Sequence, residues 1–328
     1  MKVIVTGCAG LIGSHLVDNL LKNNFEVVGI DDLSFGRKIN LTNAESNANF
    51  RFINGDCKDI TNLLKGKNYD AILHLASIKK PWGNKLSSNY VLDENIDMTR
   101  EIIRYCLSNN TFLIFTSTSD VYGNSNNFLE SEKITIGPPT NERYSYAMSK
   151  LVSEQYIFNE INQLNLNATV IRIFGCASDR SKNSWSAGHI PIFVSNALNN
   201  IEINIHGDGL QTRSISSAID IAEGISLTLI NKNKLDGEII NIGTSEETTV
   251  KEVADYIVNK TNSKSKITYT PREEIFGDYD EILRRFANTD KAKNILNFKI
   301  RYSTFEVIDQ IIESFSDPSS KYYCKKND

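Results

Sequence analysis

The sequence predicts an α/β fold, a doubly wound parallel sheet with a smaller C-terminal region interleaved with it. Three observations carry that prediction. Short, continuously apolar runs alternate with amphipathic stretches through the first half of the 328-residue chain. Strands that are apolar throughout and separated by helices belong to a parallel sheet covered on both faces. The first such run opens directly into Gly7, Gly10 and Gly13 and then into a helical pattern. After residue 174 the rhythm gives way to polar, irregular stretches with scattered helices.

In chain order, strands are predicted at 2–6, 26–30, 50–54, 71–76, 112–118 and 168–174, with helices near 12–22, 59–65, 93–109 and 146–163. Right-handed crossovers between them place the C-terminal strand ends, and any ligand, along one edge of the sheet. Further on, 175–190 reads as irregular, 191–200, 216–230 and 249–260 as helices, and 238–243 as another strand. A polar stretch runs to about 290 before a last amphipathic helix near 304–315, and the tail from Asp317 is expected to be poorly ordered. The chain therefore divides into 1–174, the sheet domain, and 175–328, a second domain of which 216–243 returns to the sheet.

Hydrophobic residues make up 40% of the chain and charged residues 23%, ordinary for a globular protein with a large core. Net charge is −4 with both signs interspersed, so the basic footprint of a nucleic-acid binder is missing. No apolar run approaches membrane-spanning length, and Met1-Lys2 leads straight into a strand; a cytoplasmic protein without membrane contact is expected. Five cysteines (Cys8, Cys57, Cys106, Cys176, Cys324) lack metal-ligand spacing and are expected to be reduced thiols. His74, inside an apolar run, reads as a satisfied strand-end histidine, and no metal site is expected.

The glycines have separate tasks in a dinucleotide-binding turn of the Rossmann type. One makes the tight turn, one lets the backbone approach a pyrophosphate, and one lets the helix pack close to the strand. Leu11 and Ile12 lie between the last two, at a helix N-terminus whose N–H groups and dipole suit a phosphate. The second strand ends in Asp31-Asp32, with Asp31 18 residues after Gly13. An acid there bonds the adenosine ribose hydroxyls and repels a 2′-phosphate, favouring NAD over NADP. Asp56 and Cys57 fall where adenine should lie, a plain turn being the equally open reading of Asp56. Leu75, Ala76 and Ser77, after the fourth strand, are expected to pass beneath the cofactor.

Tyr146 and Lys150 stand four apart in a helical stretch and so project from one face. A phenol is a poor base at its free pKa of about 10, and a neighbouring ammonium lowers that value. Thr118, in the hydroxyl-rich end of the fifth strand, supplies a donor to orient a substrate alcohol.

With Thr6 to Gly13, Asp31, Leu73 to Ala76, Ser117 to Gly123, Tyr146 to Lys150, Gly207 to Ser214 and Ile239 to Gly243 in this order, the chain resembles the extended short-chain dehydrogenase/reductase superfamily, in its NAD-dependent nucleotide-sugar epimerase/dehydratase branch. The resemblance covers Lys2 to about Leu296. It implies that Tyr146, held by Lys150 and assisted by Thr118, takes a proton from a sugar hydroxyl, usually at C4, while hydride passes to NAD. The 4-keto sugar is then re-reduced or undergoes a second reaction. Ser119 and Arg213 match substrate positions, Arg213 at the diphosphate, where a guanidinium binds bidentately. Arg284 and Arg285 are candidates for a second contact, and Trp185 for stacking on a base or sugar. Helices near 93–109 and 146–163 match those of a four-helix homodimer interface.

The second step turns on Asp120. The 4,6-dehydratases and uridine-diphosphate-glucuronate decarboxylases of this superfamily often carry Thr-Ser-Glu or Thr-Asp-Glu here, their acid handling a proton at C5 or C6, where this chain has Thr118-Ser119-Asp120. A proton-transfer role and a strand-end role for Asp120 both stand. The leading expectation is a nucleotide-sugar 4-epimerase, with 4,6-dehydratase or UDP-glucuronate decarboxylase as alternatives. A dehydrogenase of a non-sugar alcohol and a non-catalytic NAD-binding protein complete the set. The sequence departs from the family pattern at Gly175 to Arg180, at Ser216-Ser217 and at 181–188.

Overall fold

The computed structural model describes residues 1–79, 86–184, 187–276 and 282–324. Seven strands form one parallel sheet: β1 (Lys2–Thr6), β2 (Glu26–Asp31), β3 (Phe50–Asn54), β4 (Ala71–His74), β5 (Phe112–Thr118), β6 (Ala168–Ile173) and β7 (Ile239–Ile242). Their order is β7-β6-β5-β4-β1-β2-β3. The chain winds outward in both directions from the β1–β4 pair. The crevice beyond the C-terminal ends of these two strands is where such sheets bind ligands.

Helices cover both faces. Leu16 and Leu20 of the Leu11–Lys22 helix pack with Ile221 and Ile225 of the Ala218–Ile230 helix on one side. Ile102 of the Ser88–Asn109 helix and Ile157 of the Ser145–Leu164 helix bury the other. A separate apolar cluster joins the His189–Leu198, Val250–Lys260 and Thr304–Ser316 helices. The last two carry capping boxes, Thr249 with Glu252 and Ser303 with Glu306, which satisfy backbone groups at their N-termini.

Three expectations are corrected. The strand expected over 71–76 ends at His74: the Leu75 N–H still bonds the Thr6 carbonyl at 3.2 Å, but the Ala76 N–H turns to Thr6 Oγ1 at 3.2 Å, which takes Ala76 out of the ladder. The helix expected at 59–65 shrinks to a 3-10 turn, Cys57–Asp59, and one α-turn, Ile60–Leu63; Gly66 at φ +73° marks the turn beyond it. The tail is packed through Cys324. Tyr322 is 8% exposed with the Arg37 guanidinium 5.0 Å from its ring, and the Cys324 N–H bonds the Phe315 carbonyl at 3.0 Å. The polar stretch before 290 contains Ile267–Thr270, paired with Ile203–His206, and Arg284–Arg285, paired with Thr212–Arg213. Strands this short and mixed in polarity show no period.

Among the described residues no helix is long and apolar enough to cross a membrane, and no group of three or more His, Cys, Asp or Glu is placed to hold a metal.

Candidate active site

The turn after β1 is built around its glycines. Gly7 has φ +70°, which glycine adopts without strain, and a Cβ there would lie 2.7 Å from the Ala76 nitrogen. A Cβ on Gly13 would lie 2.1 Å from the Gly7 carbonyl oxygen. The third glycine thus packs the helix against the turn itself rather than against the strand. Gly10 caps the helix with extended backbone and, with Gly7 and Leu11, faces a cleft along the sheet edge.

One half of the cleft suits an adenosine. Asp31 stands there, its Oδ2 accepting the Ala9 N–H and its Oδ1 the Leu33 N–H, both at 2.9 Å. Burial pushes its carboxyl pKa up, and the two backbone donors oppose that rise. The loop folds over the carboxylate because residue 36 is glycine: a Cβ would sit 2.6 Å from Asp31 Oδ1. Nothing in the motif spacing pointed to Gly36. Asp56 and Cys57 line this half. Asp56 also caps the following turn, its Oδ1 accepting the Lys58 N–H at 2.8 Å, so both readings of it hold geometrically. Burial pushes the Cys57 thiol up to about 12, which leaves it unreactive.

The other half gathers the chemistry. Ile12, Gly13, Leu75, Ser77, Thr118, Ser119, Asp120, Tyr146 and Lys150 all face it, and Ala76 bounds the cleft on the adenosine side. The Tyr146 phenol is raised by burial and by Asp120, while hydrogen bonds from Ser77 and Thr118 lower it. Lys150 is buried; its Nζ donates to the Thr116 carbonyl at 2.9 Å and lies 4.7 Å from the Phe115 ring centre. Burial lowers its pKa to about 7, with Glu154 pulling the other way. His74 bonds Thr6 Oγ1 at 2.7 Å, and burial holds its pKa at about 3. It is a neutral, satisfied strand-end residue.

Two supports were not anticipated. Asn95 accepts from Ser77 Oγ at 3.2 Å and from the Ile78 N–H at 2.8 Å, and donates to Ser149 Oγ at 3.0 Å. It ties the Leu75–Ser77 wall to the helix bearing Tyr146. Glu154, one turn beyond Lys150, is fully buried with Arg172 of β6; Arg172 donates at 3.1 and 2.7 Å, and Ser117 Oγ donates at 2.5 Å. Arg172 also lies 4.7 Å from the ring centre of Tyr122, whose hydroxyl donates to Asn241 at 2.8 Å. This charged network braces the end of β5 from behind.

The arginines separate. Arg213 lines the cleft and donates to the Thr212 carbonyl at 2.7 Å. Arg285 enters the cleft and forms an ion pair with Asp120. Arg284 turns to Glu247 at 2.6 Å, away from the role considered for it. Trp185 lies outside the described residues. His189, not anticipated, also faces this half; its Nε2 is buried without a hydrogen-bond partner, and burial beside Arg213 lowers its pKa to about 4.

A glycine turn at the sheet's switch point, an acid at the β2 end and a phenol–ammonium pair beside a threonine define a nicotinamide-dependent enzyme that acts on an alcohol. The chain belongs to the NAD-dependent epimerase/dehydratase family, which it matches over residues 3–243. It is 31% identical over 319 residues to UDP-N-acetyl-alpha-D-glucosaminuronate decarboxylase of Bacillus cytotoxicus, covering 96% of this chain and 98% of that one. It is 31% identical over 301 residues to a putative UDP-glucose 4-epimerase of Methanocaldococcus jannaschii, covering 89% and 92%. Its fold matches the UDP-glucuronic acid 4-epimerase of Bacillus cereus, solved with UDP-glucuronic acid and NAD, with TM-score 0.84 and 26% identity over 95% of this chain and 98% of that one. NAD is therefore the cofactor, and the glycine turn and Asp31 have the shape to hold it.

Proposed function

We propose that the protein is a nucleotide-sugar 4-epimerase. Tyr146 takes the proton of the sugar C4 hydroxyl, Thr118 hydrogen-bonds that oxygen, and the Lys150 ammonium stabilises the phenolate. NAD held by the glycine turn and Asp31 would supply the reversible hydride acceptance at C4. Tyr146 would restore the proton to the C4 oxygen once the ketone has turned its other face to the cofactor, which inverts C4. Arg213 takes the diphosphate and Ser119 the sugar.

The observation that favours epimerisation over elimination is the Asp120–Arg285 ion pair. A 4,6-dehydratase needs a side chain there that carries a proton, whereas this carboxylate is engaged by a guanidinium. The same pair favours one second reading, decarboxylation of a uronic acid, because a substrate carboxylate can replace Asp120 on Arg285. In a 4-keto uronate the carboxyl group is β to the ketone. The C5–C6 bond breaks as carbon dioxide leaves, its electron pair passes toward the C4 oxygen, and C5 gains a proton.

The division at 174/175 assigns the cofactor to the first domain and the nucleotide sugar to the second. A homodimer through the Ser88–Asn109 and Ser145–Leu164 helices is supported by the exposure of Tyr90, Val152 and Tyr156 on them. A cytoplasmic location fits a nucleotide-sugar substrate.

Incubation with a panel of nucleotide sugars in D2O, followed by mass spectrometry and proton NMR, tests the reading. Inversion at C4 with unchanged mass and no deuterium is expected. Loss of water with deuterium gained would overturn it for a dehydratase, and loss of carbon dioxide for a decarboxylase.

A further inference from the structure

We propose that Tyr322 is a positioning residue for the cofactor: its ring keeps the loop that carries Arg37 closed over the adenosine half of the cleft, and so sets how fast NAD leaves. The inference goes beyond the sugar chemistry and holds whichever nucleotide sugar is turned over. Ser34 to Arg37 and Asn40 line that half of the cleft. This loop is tied to the glycine turn, since the Arg37 N–H and the Asn40 side-chain amide both donate to the Ala9 carbonyl, at 3.0 and 2.9 Å.

The loop is held from outside by segments far along the chain. Arg37 donates to the Arg180 carbonyl at 2.6 Å, Arg180 donates to the Asn40 carbonyl at 3.2 Å, and Lys182 donates to the Phe35 carbonyl. Tyr322 closes the set. It is buried, and its ring centre lies 5.0 Å from the Arg37 guanidinium. Among the described residues the Tyr322 hydroxyl and Arg37 Nε are both buried without hydrogen-bond partners. The contact is therefore one of charge against ring face, which is worth more where water is excluded. The ring is itself anchored, because the Cys324 N–H bonds the Phe315 carbonyl at 3.0 Å and Cys324 Sγ lies 3.0 Å from Ser195 Oγ. A ligand under a loop leaves only when the loop opens, and opening this one breaks the Tyr322–Arg37 contact.

The experiment measures exchange of bound NAD for isotope-labelled NAD in the full-chain holoenzyme, with denaturant melts and hydrogen exchange alongside. Tyr322→Leu is expected to speed NAD exchange by at least about fivefold, within the range of a partly desolvated cation–π contact. Tyr322→Phe should exchange at the wild-type rate, because the hydroxyl has no partner to lose. In an Arg37→Met background, Tyr322→Leu should add nothing further to the exchange rate, whatever it does to the melt. Arg37→Met alone leaves the anchors of the tail in place and tests the contact from the other side. It should speed NAD exchange and weaken protection of the Cys324 amide. A wild-type rate in Tyr322→Leu would overturn the inference. So would a Tyr322→Phe as fast as Tyr322→Leu, or an equal acceleration with and without Arg37, since the tail would then act through general stability. Unchanged protection of the Cys324 amide in Arg37→Met would overturn it even if Tyr322→Leu did not fold.

Discussion

Burial works against the charged forms of both Tyr146 and Lys150. Lys150 is lowered to about 7 and the phenol is raised. In the proposed mechanism the two act as one acid–base pair, so the first proton is lost near pH 7 and the second far higher. The form able to take a sugar proton, phenolate beside ammonium, has one proton fewer than the fully protonated pair. It shares that count with phenol beside amine, so the macroscopic step near 7 governs both. kcat/KM should therefore rise with pH through about 7 and hold into the alkaline range; a profile falling through pH 7 would contradict the assignment. Lys150→Met should erase this limb. Tyr146→Phe should lower kcat by about 10²–10⁴, the usual worth of a positioned general base, while NAD retention, measured on the purified protein, stays unchanged.

The elements hold these groups through contacts that can be broken separately. Gly13→Ala drives a methyl into the Gly7 carbonyl and should cost about 1–3 kcal/mol in stability, as overpacking does; denaturant melts and NAD affinity measure it. Glu154→Gln leaves Arg172 charged and buried, which should cost about 3–5 kcal/mol. Because Glu154 raises the Lys150 pKa, the acid limb should also move to lower pH. A Glu154→Met, Arg172→Met double variant should recover stability while the limb stays displaced, a separation that a merely structural pair would not give. At this scale most of the fold was legible. β1 and β5 run over the residues that their apolar runs marked, because a buried strand draws on apolar residues throughout; β3 keeps its expected bounds although Arg51 and Asn54 are exposed at the sheet edge. The end of β4 was not, because Ala76 leaves the sheet for a threonine 70 residues away. Gly36 and Asn95 were missed because neither belongs to a motif. Each matters only once distant segments are brought against it.

For the whole molecule, the proposed dimer gives the clearest test. Tyr156 and Val152 are 37% and 40% exposed on one long helix, apolar surface of the kind that interfaces bury. Tyr156→Asp with Val152→Asp should yield a monomer by light scattering, and a wild-type monomer would end the proposal. The sequence by itself determined the parallel sheet, the glycine turn, the acid at the end of β2 and the Tyr146–Lys150 pair. All of these are local patterns, set by strand runs, backbone freedom at glycine and helical spacing. The tertiary structure alone decided that Arg285 meets Asp120 across 165 residues, that Arg284 turns away, and that the tail packs beside Arg37. Contacts between segments far apart in the chain leave no period or spacing to read; they exist only where folding closes the cleft.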